Sequence, residues 1–303
     1  MATTVHARDV YNLPLYECYI VIDVRAKSDF DAGHVATAFN FDPIDCSAAQ
    51  LNKLALELSE NAPERLSPIV LYGDGSERSA SGIAWLQRRL LQLVSPTSTA
   101  ASTVDDSDAP YDPVAFFFRR VALSSPRVWV MEETAKDFAE IYPFLFGLDS
   151  FADLEPLPVH LTDNVYIGSR HVQPSARLLR QLKVTTVICS GEEARRKFDE
   201  IPDIHVLAAD VADSTSRLLR RQDDLITLLD SMQRQLDAGH VVYLGVMGRS
   251  RSASIAAAWL VVWKGQEPDE AVQTIRNAVP SAYVAPAWMN QLRQIRFRRA
   301  ITQ

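Results

Sequence analysis

The chain has 303 residues, of which 47% are hydrophobic and 23% charged, and a formal net charge of −7. That length accommodates two ordinary domains with a core each. The acidic balance argues against a nucleic-acid partner, and the longest apolar run, residues 255–263, is too short to cross a bilayer. The three cysteines, Cys18, Cys46 and Cys189, are odd in number and widely spaced, with no CxxC or Cys/His cluster. They read as isolated reduced thiols, so neither a metal nor another cofactor is expected. The opening MATTVHARD has no basic stretch followed by an apolar core. A cytosolic or nuclear protein without a membrane partner is therefore expected.

In chain order, YIVIDV (19–24) and PIVLYG (68–73) are apolar, β-branched strand candidates. A helical pattern runs from 79 to 93, RVWVM (127–131) reads as a further strand, and KDFAEIYPFLF (136–146) is helix-like. Strands alternating with helices imply a parallel sheet covered by helices. SPTSTAASTVDDSDAPYD is rich in Ser, Thr, Asp and Pro and reads as a surface insertion. LDSFADLEPLP marks a better domain boundary. Beyond it the most informative stretch is VVYLGVMGRSRSAS (241–254): a hydrophobic strand, a Gly/Ser-rich loop and an apolar helix. A loop opening a helix directs free N–H groups and the positive dipole end at one point, which favours an anion. A guanidinium at Arg251 could clamp two phosphate oxygens.

This stretch resembles the dual-specificity phosphatase signature, His-Cys-x-x-Gly-x-Ser-Arg-Ser. Gly248, Ser250, Arg251 and Ser252 match it, while Leu244 and Gly245 stand at the histidine and the nucleophilic cysteine. The resemblance extends over residues 158–303. HLTDNVYIGS resembles the family's opening and LLRQLKVTTVICS its helix-then-strand passage, with Cys189 in place of Asn. The end, through Trp288, Gln291 and Leu292, resembles its closing helices, with Ala285 where the family has Asn. Upstream, IDVRAKSDFDAGHVATAFNF places Asp23, Arg25, Phe30, Gly33, His34, Ala38 and Asn40 in a pattern similar to rhodanese-like domains. In that likeness the sulfur-carrying cysteine is Gly73, followed by the matching Arg78 and Ser79.

The resemblances imply an α/β chain: a rhodanese-like parallel sheet (5–148), a linker (149–157) and a phosphatase-like mixed sheet with helices on both faces (158–303). This order of domains resembles MAP kinase phosphatases, in which the first domain holds the kinase. A persulfide or phosphocysteine needs a thiolate, so sulfur transfer and ordinary phosphatase turnover are not expected. The implied function is a pseudophosphatase of the catalytically dead STYX type. It would bind a phosphorylated signalling protein, a MAP kinase being the candidate, through Val246, Met247, Gly248, Arg249, Ser250, Arg251 and Ser252. The alternatives are an active phosphatase with an unorthodox nucleophile and a scaffold in which both loops are vestigial. The general-acid position falls on Asp210 or Asp213. Arg88–Arg89 and Arg119–Arg120 are candidate kinase-docking pairs, against the plainer reading of solvated surface charge. Restoring the cysteine by Gly245→Cys, helped by Leu244→His, is expected to yield weak phosphatase activity.

Overall fold

The computed structural model describes residues 3–13, 19–43, 47–61, 68–94, 127–147, 156–162, 164–168, 174–189, 192–209, 222–245, 249–279 and 282–302. The surface insertion (95–112) and residues 149–155 of the expected linker lie outside these residues. The chain divides into two compact units, Met1–Asp153 and Leu154–Gln303.

In the first unit the elements run β1 (Thr3–Val5), α1 (Ala7–Tyr11), β2 (Ile20–Asp23), α2 (Lys27–Ala32), β3 (Phe39–Asn40), α3 (Ala48–Asn61), β4 (Ile69–Tyr72), α4 (Glu77–Val94), β5 (Val128–Met131) and α5 (Ala135–Ile141). The five strands form one sheet in the order β1-β5-β4-β2-β3, and every pair is parallel. IVID in β2 and IVLY in β4 are buried along their whole length. Such buried runs, apolar but for Asp23, suit strands covered on both faces, as parallel strands linked by helices are. Leu51, Leu54, Ala55 and Leu58 of α3 join Ile20, Ile22, Ile69, Leu71, Leu86 and Leu90 in one core.

The helix-like run 136–146 is not one helix. It stops at Ile141 and continues as a 3-10 turn over Pro143–Leu145. Proline disfavours helical geometry in the residue before it, and Tyr142 sits at φ −127°, ψ 62°. Thr134 caps the start of α5, its hydroxyl accepting the Asp137 N–H at 3.2 Å.

In the second unit follow β6 (Val159–Thr162), β7 (Val165–Ile167), α6 (Ala176–Gln181), β8 (Val184–Cys189), α7 (Glu192–Asp199), β9 (His205–Ala208), α8 (Gln222–Asp237), β10 (Val241–Gly245), α9 (Arg249–Trp263), α10 (Pro268–Ala278) and α11 (Pro286–Thr302). The sheet order is β6-β7-β10-β8-β9, antiparallel for β6 with β7 and parallel elsewhere. The chain is thus α/β, with a parallel sheet and then a mixed sheet, each flanked by helices. Helix α9 packs against α8, α10 and α11. Its residues from Ser252 to Leu260 are at most 2% exposed, a helix apolar enough to be buried all round.

Candidate functional site

Both units place a candidate loop by the same device. β4 and β10 are the central strands of their sheets, and each runs through a glycine into a helix. In α/β sheets the crevice at the carboxyl ends of such strands is the usual ligand position.

The first loop, between β4 and α4, is filled by its own side chains. A Cβ at Gly73 would lie 2.7 Å from the Ser79 Cβ and 3.1 Å from its Oγ. Ser79 is buried, so the position of the expected sulfur carrier is closed by packing as well as lacking its thiol. The Ser76 N–H donates to Asp74 Oδ1 at 2.9 Å, and the Ser79 N–H to Ser76 Oγ at 3.2 Å. Arg78 turns to Asp42, donating to Oδ1 at 2.6 Å. Partial burial raises the Asp74 pKa, but hydrogen bonds from the Ser76 hydroxyl and N–H and the Ser79 hydroxyl outweigh it and hold the carboxyl below its ordinary value. A depressed folded-state pKa adds stability above the unfolded value and loses it as pH falls through the folded one. The stability difference between wild type and Asp74→Ala should therefore be constant above about pH 5 and shrink below 3.8, the ordinary carboxylate value. Urea midpoints across pH measure it, and a difference that persists unchanged near pH 3 would refute the assignment.

The rhodanese-like motif assembles into a buried structural network. Asp23 is fully buried and Arg25 nearly so. Arg25 donates through Nε to Asp23 Oδ1 at 2.9 Å and through Nη2 to Oδ2 at 2.6 Å. The same Nη2 donates to the Gly33 carbonyl at 2.6 Å, and the Tyr72 hydroxyl donates to Asp23 Oδ2 at 2.6 Å. Asn40 Nδ2 donates to the Arg25 carbonyl at 3.1 Å, and His34 stacks on Phe30 with ring centroids 4.0 Å apart. Burial lowers the Arg25 pKa, but the Asp23 carboxylate more than offsets it. Burial and then the Asp23 charge push the Tyr72 hydroxyl well above its ordinary range. Gly33 holds φ at +153°, where a Cβ would also strike the Phe146 ring at 2.6 Å.

In the second unit β10 delivers Gly245 to the loop, and α9 begins at Arg249. Val246, Met247, Gly248, Asp210 and Asp213 lie outside the described residues. Arg249, Ser250 and Arg251 form the first turn of α9, with Arg251 half-buried and Ser252 fully buried. Gly245 pairs in register with Cys189 on β8. That thiol is buried, and burial, then the Asp199 charge, raise its pKa. A nucleophilic cysteine needs the opposite shift. Sequence reasoning overlooked Tyr243, two residues before Gly245 on the same face of β10, with its ring against that glycine. The period-two alternation of a strand was the legible signal.

Arg88 and Arg89 are exposed on α4. Arg88 Nε donates to the Ala84 carbonyl at 3.1 Å, and the Arg89 guanidinium lies 5.7 Å from the Trp85 ring centroid. Arg119 and Arg120 lie outside the described residues.

Residues 7–98 match the family described as Rhodanese-like domain. The chain therefore contains a rhodanese-like domain. No curated protein matches the chain. Among solved structures, a variant of human DUSP28 is similar over 49% of this chain and 100% of its own, at 20% identity and TM-score 0.44. A mouse putative dual specificity phosphatase complexed with zinc tungstate is similar over 50% of this chain and 95% of its own, at 20% identity and TM-score 0.44. A human tyrosine phosphatase-like serine/threonine/tyrosine-interacting protein covers 48% of this chain and 97% of its own, at 16% identity and TM-score 0.40.

Proposed function

We propose that the second unit binds a phosphorylated signalling protein, a MAP kinase being the candidate, through residues 246–252 and holds it without hydrolysis. The carrying observation is the first turn of α9, which opens with Arg249, Ser250 and Arg251 and contains no acidic residue. α1, α2, α4, α5, α8 and α10 place an acidic residue in the first turn, whereas α3, α6 and α11 lack one as α9 does; what marks α9 is two arginines there with no acidic residue beside them. Cations at the positive end of a helix dipole cost roughly 0.3–1 kcal/mol each, a cost that a bound anion reverses. Gly245 at the end of the central strand supplies no nucleophile, and the buried Cys189 thiol beside it is poorly disposed to ionise. Those two facts weigh against an active phosphatase. Gly73 weighs in the same way against sulfur transfer. In this reading the rhodanese-like unit is a docking domain, with the exposed Arg88–Arg89 pair facing an acidic groove on the kinase, in the cytosol or nucleus.

Calorimetric titration with a doubly phosphorylated Thr-x-Tyr activation-loop peptide tests the reading. A charge-assisted contact contributes about 1.5–3 kcal/mol, so Arg251→Ala should weaken binding roughly 10- to 100-fold. Binding that is absent, or indifferent to Arg251, would replace this reading with a scaffold whose loops are vestigial.

A further inference from the structure

We infer that Tyr243 is the side chain that closes the nucleophile position of the second unit, and that Gly168 and Gly245 are the two glycines its ring requires. The naming of position 245 as the nucleophile position rests on the proposed function; the packing does not. Tyr243 and Gly245 alternate onto one face of β10. A Cβ at Gly245 would lie 2.6 Å from Tyr243 Cε1, 3.3 Å from Cδ1 and 3.5 Å from Cζ. On the neighbouring strand's end, a Cβ at Gly168 would collide with the Tyr243 hydroxyl and lie 2.8 Å from Cζ. Gly168 is held there by its own N–H, which donates to the Leu244 carbonyl at 2.8 Å. The ring is 2% exposed, and Phe198 of α7 meets it edge-on at 6.2 Å between centroids. A stiff ring set between two backbones and a second ring yields only by disturbing its neighbours.

The loss of the cysteine is therefore not one missing atom. Any side chain at 245 must displace a buried aromatic ring. The simple restoration expected from the sequence, Gly245→Cys with Leu244→His, is obstructed. Tyr243→Val removes the ring while keeping a residue suited to a central strand.

The test uses the full chain. Overpacking should make Gly245→Ala lower the melting temperature by roughly 5 °C, and the same change in a Tyr243→Val background should cause no further drop. Tyr243→Phe keeps the ring edge but drops the hydroxyl. It should lessen the effect of Gly168→Ala and leave that of Gly245→Ala intact, which keeps the test decisive if Tyr243→Val folds poorly. Hydrolysis of para-nitrophenyl phosphate is then compared for Gly245→Cys/Leu244→His with and without Tyr243→Val. At least a tenfold gain with Tyr243→Val supports both the closure and the phosphatase-like reading. Thermal coupling without any turnover supports the closure and counts against a preserved catalytic cradle, while the proposed binding is decided by the Arg251 titration. Additive thermal effects of Gly245→Ala and Tyr243→Val overturn the closure itself.

Discussion

Asp23→Ala is expected to destabilise the first unit by about 3–5 kcal/mol, because it strands a buried guanidinium. Asp23 is 0% exposed and accepts hydrogen bonds from both Arg25 and Tyr72. Removing it also leaves the Tyr72 hydroxyl without its acceptor in a site closed to water. Hydrogen-exchange mass spectrometry on the full chain reads the loss in peptides from β2 and β4. The double variant Asp23→Leu/Arg25→Met should lose less than Asp23→Ala alone, since no unpaired charge remains. A double variant as weak as the single would mean that shape, rather than charge pairing, governs this site. The motif would then stabilise the unit through packing rather than through charge. In the expected case it is the polar core of the unit, linking β2, the turn at Gly33 and β4.

Trp259→Ala should lower the stability of the second unit by about 3–5 kcal/mol, the cost of emptying a large aromatic site in a tight core. Trp259 is 0% exposed in the middle of α9, and its indole N–H donates to Gln233 Oε1 at 2.8 Å. The substitution leaves a cavity and takes the indole donor from Gln233 Oε1, whose amide nitrogen still donates to Asp237. Lys264, whose ammonium lies 5.2 Å from the ring centroid, loses a cation–π contact as well. Trp259→Phe should cost markedly less, because it keeps most of the ring volume. Denaturation followed through exchange of α9 and α8 peptides measures both. A loss under about 1 kcal/mol for Trp259→Ala would show that α9 is not the mechanical centre of the unit.

The strongest strands were legible because burial on both faces leaves an apolar run in the sequence. IVID, IVLY, VTTVIC and VVYLG all became central or near-central strands. The short edge strands β1 and β3 left no such trace, since three and two residues carry too little pattern. Helix α3 was readable from the spacing of Leu51, Leu54, Ala55 and Leu58, a stripe that motif-based reading passes over. In the helix-like run after β5, the local pattern continued past Pro143 while the backbone could not.

The candidate sites were legible as positions, and their occupancy was not. The sequence alone determined that glycine stands where each resemblance places a cysteine, and that two arginines follow Gly245 into an apolar helix. Those facts concern which atoms exist, and covalent order is sufficient to state them. Only the tertiary structure decided what fills the space beside each glycine. At Gly73 it is Ser79 from the following helix, and at Gly245 it is the Tyr243 ring backed by Phe198. A residue without a Cβ leaves a void, a close-packed interior does not keep voids, and a nearby side chain enters and is held by its packing, as Tyr243 is against Phe198 and Gly168.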